Sequence, residues 1–107
     1  MRAFLARGLR RAGHAVDAFG DGETALEGAN GAEFDLLLAD VVMPGIDGIE
    51  LARRMTARQP GIRVMFITGF AAVALQDDGL ARHRPRILAK PFHLRHLIAE
   101  IEALLAQ

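Results

Sequence analysis

The sequence predicts a doubly wound α/β domain, in which parallel strands are covered on both faces by helices. Three observations carry that expectation. Residues 34–39 and 63–67 are nearly unbroken apolar runs of strand length, the pattern of strands buried on both sides. Segments with apolar residues at helical spacing alternate with them, and alternating strands and helices make parallel strands joined by right-handed crossovers. The joining segments are short and marked by Gly, Pro, Asp and Asn.

Taken in order, the chain opens in a helix over residues 2–12. Phe4, Leu5, Leu9 and Ala12 share one side, arginines take the rest, and Gly13 stops it. Residues 15–19 alternate in the manner of a short strand. Gly20-Asp21-Gly22 is a turn, and Asp21 is placed to cap a helix over residues 23–29 that Asn30 and Gly31 end. The first apolar run follows and delivers Asp40 at its C-terminal end. After Pro44-Gly45, Asp47 can cap a helix bearing Ile49, Leu51, Ala52 and Met55, which closes before Pro60-Gly61. The second apolar run ends in Thr68-Gly69. Residues 71–75 have helical composition but are few, and the stretch from Gln76 to Pro85 is polar loop. Residues 86–89 form a last short strand. From Pro91 on, Leu94, Leu97, Ile98, Ile101, Leu104 and Leu105 recur at the spacing of an amphipathic helix.

At 107 residues, 51% hydrophobic and 24% charged, the chain suits one compact domain, residues 1–107. Lys+Arg and Asp+Glu stand at 13 each, so no net field draws the protein onto nucleic acid or an anionic membrane, and neither is expected as a partner. The absence of cysteine excludes a disulfide framework and a thiolate metal site. The N-terminus carries Arg2, Arg7, Arg10 and Arg11 without the apolar stretch of a signal peptide, and a cytoplasmic location is expected.

Ligands of open α/β sheets bind outside the carboxyl ends of the strands. Three chemically distinct residues reach that edge from three strands: Asp40, Thr68 and Lys90. A carboxylate can attack phosphorus and form an acyl phosphate when the transferred charge is neutralised. Lys90 supplies a positive charge on a long stem, and Thr68 a hydroxyl donor. The Lys90-Pro91 bond is a candidate for the cis isomer, which X-Pro bonds adopt at little cost.

The motif Asp40-Val41-Val42-Met43-Pro44-Gly45-Ile46-Asp47-Gly48, with Ile67-Thr68-Gly69 and Lys90-Pro91-Phe92, resembles the receiver domains of response regulators, the flavodoxin-like, CheY-like fold. The likeness spans nearly the whole chain. It implies that Asp40 is the phosphoacceptor, Thr68 the switch hydroxyl and Lys90 the phosphate-contacting lysine, with the backbone carbonyl of Val42 and Asp40 as ligands of Mg²⁺. It also implies a histidine kinase or histidine phosphotransferase as phosphoryl donor, and a signalling module rather than an enzyme. A narrower likeness lies in Ile49 to Arg54, Met65 to Leu75 and Lys90 to Arg95, which resemble the CpdR-type single-domain regulators of alphaproteobacteria. In that group the unphosphorylated form is an adaptor that primes the ClpXP protease. The surface expected to change on phosphorylation comprises Phe70, Ala71, Val73, Ile87 and Phe92.

Two departures from the family stand out. Receivers begin with a strand ending in two acidic residues that help hold Mg²⁺, and this chain begins at the helix that follows. The first strand and its loop, roughly 8 to 10 residues at usual strand lengths, are then expected upstream of Met1, and Mg²⁺ is expected to bind weakly or not at all without the acids. In the family order 2-1-3-4-5 the absent strand would lie between residues 15–19 and 34–39. Asp77-Asp78, after a different strand, is no substitute. The second departure is Ile87, which falls where many receivers carry an aromatic switch residue.

Other polar residues read more plainly. Asp47 is a cap, and His83 belongs to a basic loop. His93 and His96 lie three apart on the last helix, but no third metal ligand is evident. Against the switch stands a second reading, a phosphorylation-independent protein-docking module, which the missing acid pair favours. A phosphotransferase acting on an external substrate would want a second acid two residues beyond the nucleophile, where this chain has Val42.

Overall fold

The computed structural model describes residues 2–41, 45–68 and 85–106. Its elements are α1 (Arg2–Arg11), α2 (Gly22–Gly28), β1 (Leu36–Asp40), α3 (Gly48–Arg58), β2 (Arg63–Thr68), β3 (Arg86–Ala89) and α4 (Leu94–Leu105). The three strands form one parallel sheet in the order β1-β2-β3, with Leu36 opposite Arg63 and Met65 opposite Arg86 at the starts of the two pairings.

Successive strand residues point to opposite faces, and this sheet uses both faces for core. On one side Leu37, Ala39, Val64, Phe66 and Ile87 pack with α2 and α3 through Leu26, Leu51, Ala52 and Met55. On the other, Leu36, Leu38, Met65, Ile67 and Leu88 pack with α1 and α4 through Leu5, Leu9, Leu97, Ile101 and Leu104. Met65 and Phe66, neighbours in sequence, are both fully buried because each belongs to a different core. This is why the apolar runs carry no polar alternation, and it bears out the doubly wound reading.

Local chemistry sets the helix boundaries. Asp21 caps α2 by accepting from the Thr24 N–H, and Asp47 caps α3 by accepting from the Glu50 N–H, both at 2.8 Å, as the sequence suggested. Gly13 ends α1 in the left-handed region, φ 99°, which an L side chain adopts only with strain. Gly8 lets α1 approach α4, since a Cβ there would meet Leu94 Cδ2 at 2.6 Å.

One expected strand is absent. Residues 14–19 form no regular element, although Val16 packs on the α1/α4 core and the Phe19 ring lies against Gly28. Alternation prepares a segment for a pleated surface, but a strand also needs a neighbour to exchange N–H and C=O bonds. Among the described residues β1 pairs with β2 alone, and the Val16 carbonyl accepts instead from Arg10 Nη2 at 2.9 Å.

A side-chain clamp holds the loop before β1. Gln59 Oε1 accepts from the Phe34 N–H, and Gln59 Nε2 donates to the Ala32 carbonyl, each at 2.8 Å. Arg58 Nη1 donates to the Leu26 carbonyl at 3.0 Å, in the last turn of α2. The end of α3 thereby fixes the path from α2 into β1.

Candidate functional site

Parallel strands bring their C-terminal ends to one edge, so Asp40, Thr68 and Lys90 arrive together from β1, β2 and just beyond β3. The register sets Asp40 opposite Ile67 and Thr68 opposite Ala89. The ladder continues one residue further, because the Lys90 N–H donates to the Thr68 carbonyl at 3.0 Å. Lys90 is therefore anchored at the sheet edge by its backbone, and the Lys90-Pro91 peptide is cis, the isomer the sequence suggested.

From this anchor the Lys90 ammonium reaches over the end of β2. Its Nζ donates to Asp40 Oδ2 at 2.5 Å, joining residues 50 apart in sequence. The Lys90 and Asp40 side chains are 36% and 26% exposed, so the pair is held by the fold yet open to a reactant. Thr68 is wholly buried at the end of β2. A partly exposed ion pair adds little to stability, on the order of 0–1 kcal/mol. What the arrangement offers is a carboxylate with a fixed positive charge beside it, able to receive a group that brings further negative charge.

The backbone around Asp40 is fixed from the α3 side. The Gly48 N–H donates to the Val41 carbonyl at 3.0 Å, and a Cβ on Gly48 would collide with the carbonyl of Asp40 and stand 3.0 Å from Val41 Cα. Only glycine lets the start of α3 come this close to the strand end. Sequence reasoning took Gly48 as part of a motif and missed this role. The signal was the Asp47-Gly48 pair, in which one residue caps the helix and the next removes a side chain.

Val42, Phe70, Ala71 and Val73 lie outside the described residues. Ile87 and Phe92 are half-buried and pack on opposite faces of the sheet, Ile87 against the α2/α3 core and Phe92 against the α1/α4 core. His96 Nε2 lies 3.3 Å from Glu100 Oε1, while Glu100 Oε2 accepts from Arg86 Nη1 at 2.6 Å. That histidine therefore belongs to a polar cluster joining α4 to β3. Among the described residues no three His, Asp or Glu side chains group as metal ligands would. Asp40 can offer Mg²⁺ one carboxylate, and the described donors do not complete a site.

A doubly wound sheet with a carboxylate, a hydroxyl-bearing strand end and a lysine on its carboxyl edge is the arrangement of a receiver-like domain. Comparison with known proteins agrees: residues 1–102 match the family model described as the response regulator receiver domain, and the chain belongs to that family. It is 52% identical over 105 residues to the response regulator receiver protein CpdR of Brucella abortus, covering 98% of this chain and 88% of the relative. It is 38% identical over 104 residues to the transcriptional regulatory protein TcrA of Mycobacterium tuberculosis, but spans only 41% of that protein. Among solved structures, a response regulator receiver protein from Sinorhizobium medicae matches with a TM-score of 0.85 at 29% identity, covering 98% of this chain and 85% of that one. A CheY-like receiver from Methanospirillum hungatei matches with a TM-score of 0.86 at 22% identity, over 97% and 83% of the two chains, and supports the fold. Receiver domains are signalling modules phosphorylated by histidine kinases, and they generally bind Mg²⁺ at the phosphorylation site. No described helix is long and apolar enough to cross a membrane.

Proposed function

We propose that residues 1–107 are one receiver domain acting as a stand-alone response regulator, with Asp40 as its phosphoacceptor. The observation that carries this is the Lys90 Nζ to Asp40 Oδ2 contact at the carboxyl edge of the sheet. An Asp40 carboxylate oxygen attacks the phosphorus of a phosphohistidine or of acetyl phosphate. The P–N or P–O bond to the donor breaks, its electron pair leaves with the donor, and an aspartyl phosphate remains. Lys90 exchanges its carboxylate contact for a phosphoryl oxygen, and Thr68 donates its hydroxyl to another. The rearrangement at these strand ends changes the surface around Phe70, Ala71, Val73, Ile87 and Phe92, and partners read the change.

The donor is a histidine kinase or histidine phosphotransferase, and the setting is the cytoplasm. Similarity to CpdR supports a role as a protease adaptor whose unphosphorylated form engages ClpXP. Intact-mass spectrometry after acetyl phosphate and Mg²⁺ tests the reading, run in parallel on residues 1–107 and on the chain extended into its upstream coding sequence: the extended chain gains one phosphoryl mass, and Asp40→Asn abolishes the gain. A mass gained by neither chain refutes it.

A second reading is a docking module that works without phosphorylation. It is favoured by the absence, among the described residues, of three acidic or histidine side chains grouped as a metal site. Under that reading Asp40→Asn leaves partner binding unchanged.

A further inference from the structure

Helix α1 contains four arginines and no acidic residue. Arg7, Arg10 and Arg11 stand at i, i+3 and i+4, neighbours on one helix surface. All three are exposed, and none of the ion pairs among the described residues engages them. On other elements some arginines do have carboxylate partners: Arg53 and Arg54 both reach Glu50, and Arg86 reaches Glu100. Like charges one turn apart repel, so three cations left together form a place where an anion lowers the energy.

That place is an open depression on the surface. It has a volume of about 560 Å³ and is lined by Ala3, Ala6, Arg7, Arg10, Arg11 and Ala18. Its apolar surface comes from alanines on α1 and from Ala18 in the irregular segment after it. Arg10 is already held, because its Nη2 donates to the Val16 carbonyl at 2.9 Å. A guanidinium fixed in this way loses less freedom when it binds an anion. Guanidinium groups take phosphate oxygens through paired N–H donors.

We propose that this depression between α1 and residues 14–18 binds a small organic phosphate, with Arg7, Arg10 and Arg11 on the phosphate groups and the alanines against the organic body. The site is separate from the Asp40 edge and does not depend on phosphorylation of Asp40. A compact ligand with concentrated charge suits three guanidinium groups one helix turn apart, because a single phosphate can be reached by more than one of them.

Titration calorimetry at low salt tests it with ADP, inorganic pyrophosphate and adenosine as probes. ADP is expected to bind saturably and at least tenfold more tightly than pyrophosphate, and adenosine not to bind. The double variant Arg7→Gln/Arg11→Gln alters exposed side chains only, and its fold is checked by circular dichroism. It should weaken ADP at least tenfold, whereas Arg53→Gln/Arg54→Gln leaves binding unchanged. Absence of ADP binding, equal binding of ADP and pyrophosphate, binding of adenosine, or indifference to the Arg7/Arg11 variant would each overturn the proposal.

Discussion

Replacing Gly48 with alanine adds a single methyl group where the backbone has left no room. The new Cβ would collide with the Asp40 carbonyl and lie 3.0 Å from Val41 Cα. Both obstacles are main chain, so no side-chain rotamer can relieve them, and α3 must move away from β1. Forcing an extra methyl into a packed site costs about 1–3 kcal/mol. The gain from replacing glycine by alanine inside a helix is at most about 1 kcal/mol, and Gly48 sits at the first helical position, where less is recovered. A net loss of about 2 kcal/mol is expected. For a domain of this size that lowers Tm by roughly 8–16 °C at 4–8 °C per kcal/mol. Urea and thermal unfolding followed by circular dichroism read the change, with Gly61→Ala as the control because a Cβ there meets nothing within 4 Å. The strand end that would shift carries Asp40, so phosphorylation by acetyl phosphate should fall even at temperatures where the variant is fully folded. A Gly48→Ala protein as stable and as readily phosphorylated as the parent would refute the close approach as a determinant of the site.

Three further substitutions probe separate links. Lys90→Ala should abolish phosphorylation in the mass assay while changing stability by less than about 1 kcal/mol, since the ion pair it removes is partly exposed; a large loss of stability would mean the lysine is mainly structural. Gln59→Ala leaves the Phe34 N–H and the Ala32 carbonyl without their partner and should cost about 1–2 kcal/mol in urea unfolding; no change would show that water replaces the clamp. Leu97→Ala empties a fully buried position of the α1/α4 core and should cost about 2–5 kcal/mol, with a loss under 1 kcal/mol contradicting the burial.

The parts of the site legible in the sequence are those that local patterns encode. Apolar runs of strand length fix where β1 and β2 end, and those ends carry Asp40 and Thr68. The caps at Asp21 and Asp47 were legible for the same reason, since a cap is a bond between residues three apart. What could not be read depends on partners distant along the chain. Gln59 bonds residues 25 and 27 positions away, and nothing in its own neighbourhood marks it. Gly48 could be read as a turn residue, but the strand end it makes room for becomes apparent only after α3 folds back on β1. Residues 15–19 failed in the opposite way: their alternation is genuine and Val16 does reach the core, but hydrogen bonding to a neighbour is not a property of one segment.

The division of the interior by the sheet has a consequence for how such a sequence drifts. Among the described residues, the side chains on the α2/α3 side and those on the α1/α4 side form two separate clusters with the strands between them. Substitutions that share no contact add nearly independently in their effect on stability. A change of volume beside Leu97 is therefore compensated on its own side of β2, and a change beside Met55 on the other. Each side is expected to form its own neighbourhood of compensating positions, so that one can be remodelled while the other is inherited intact.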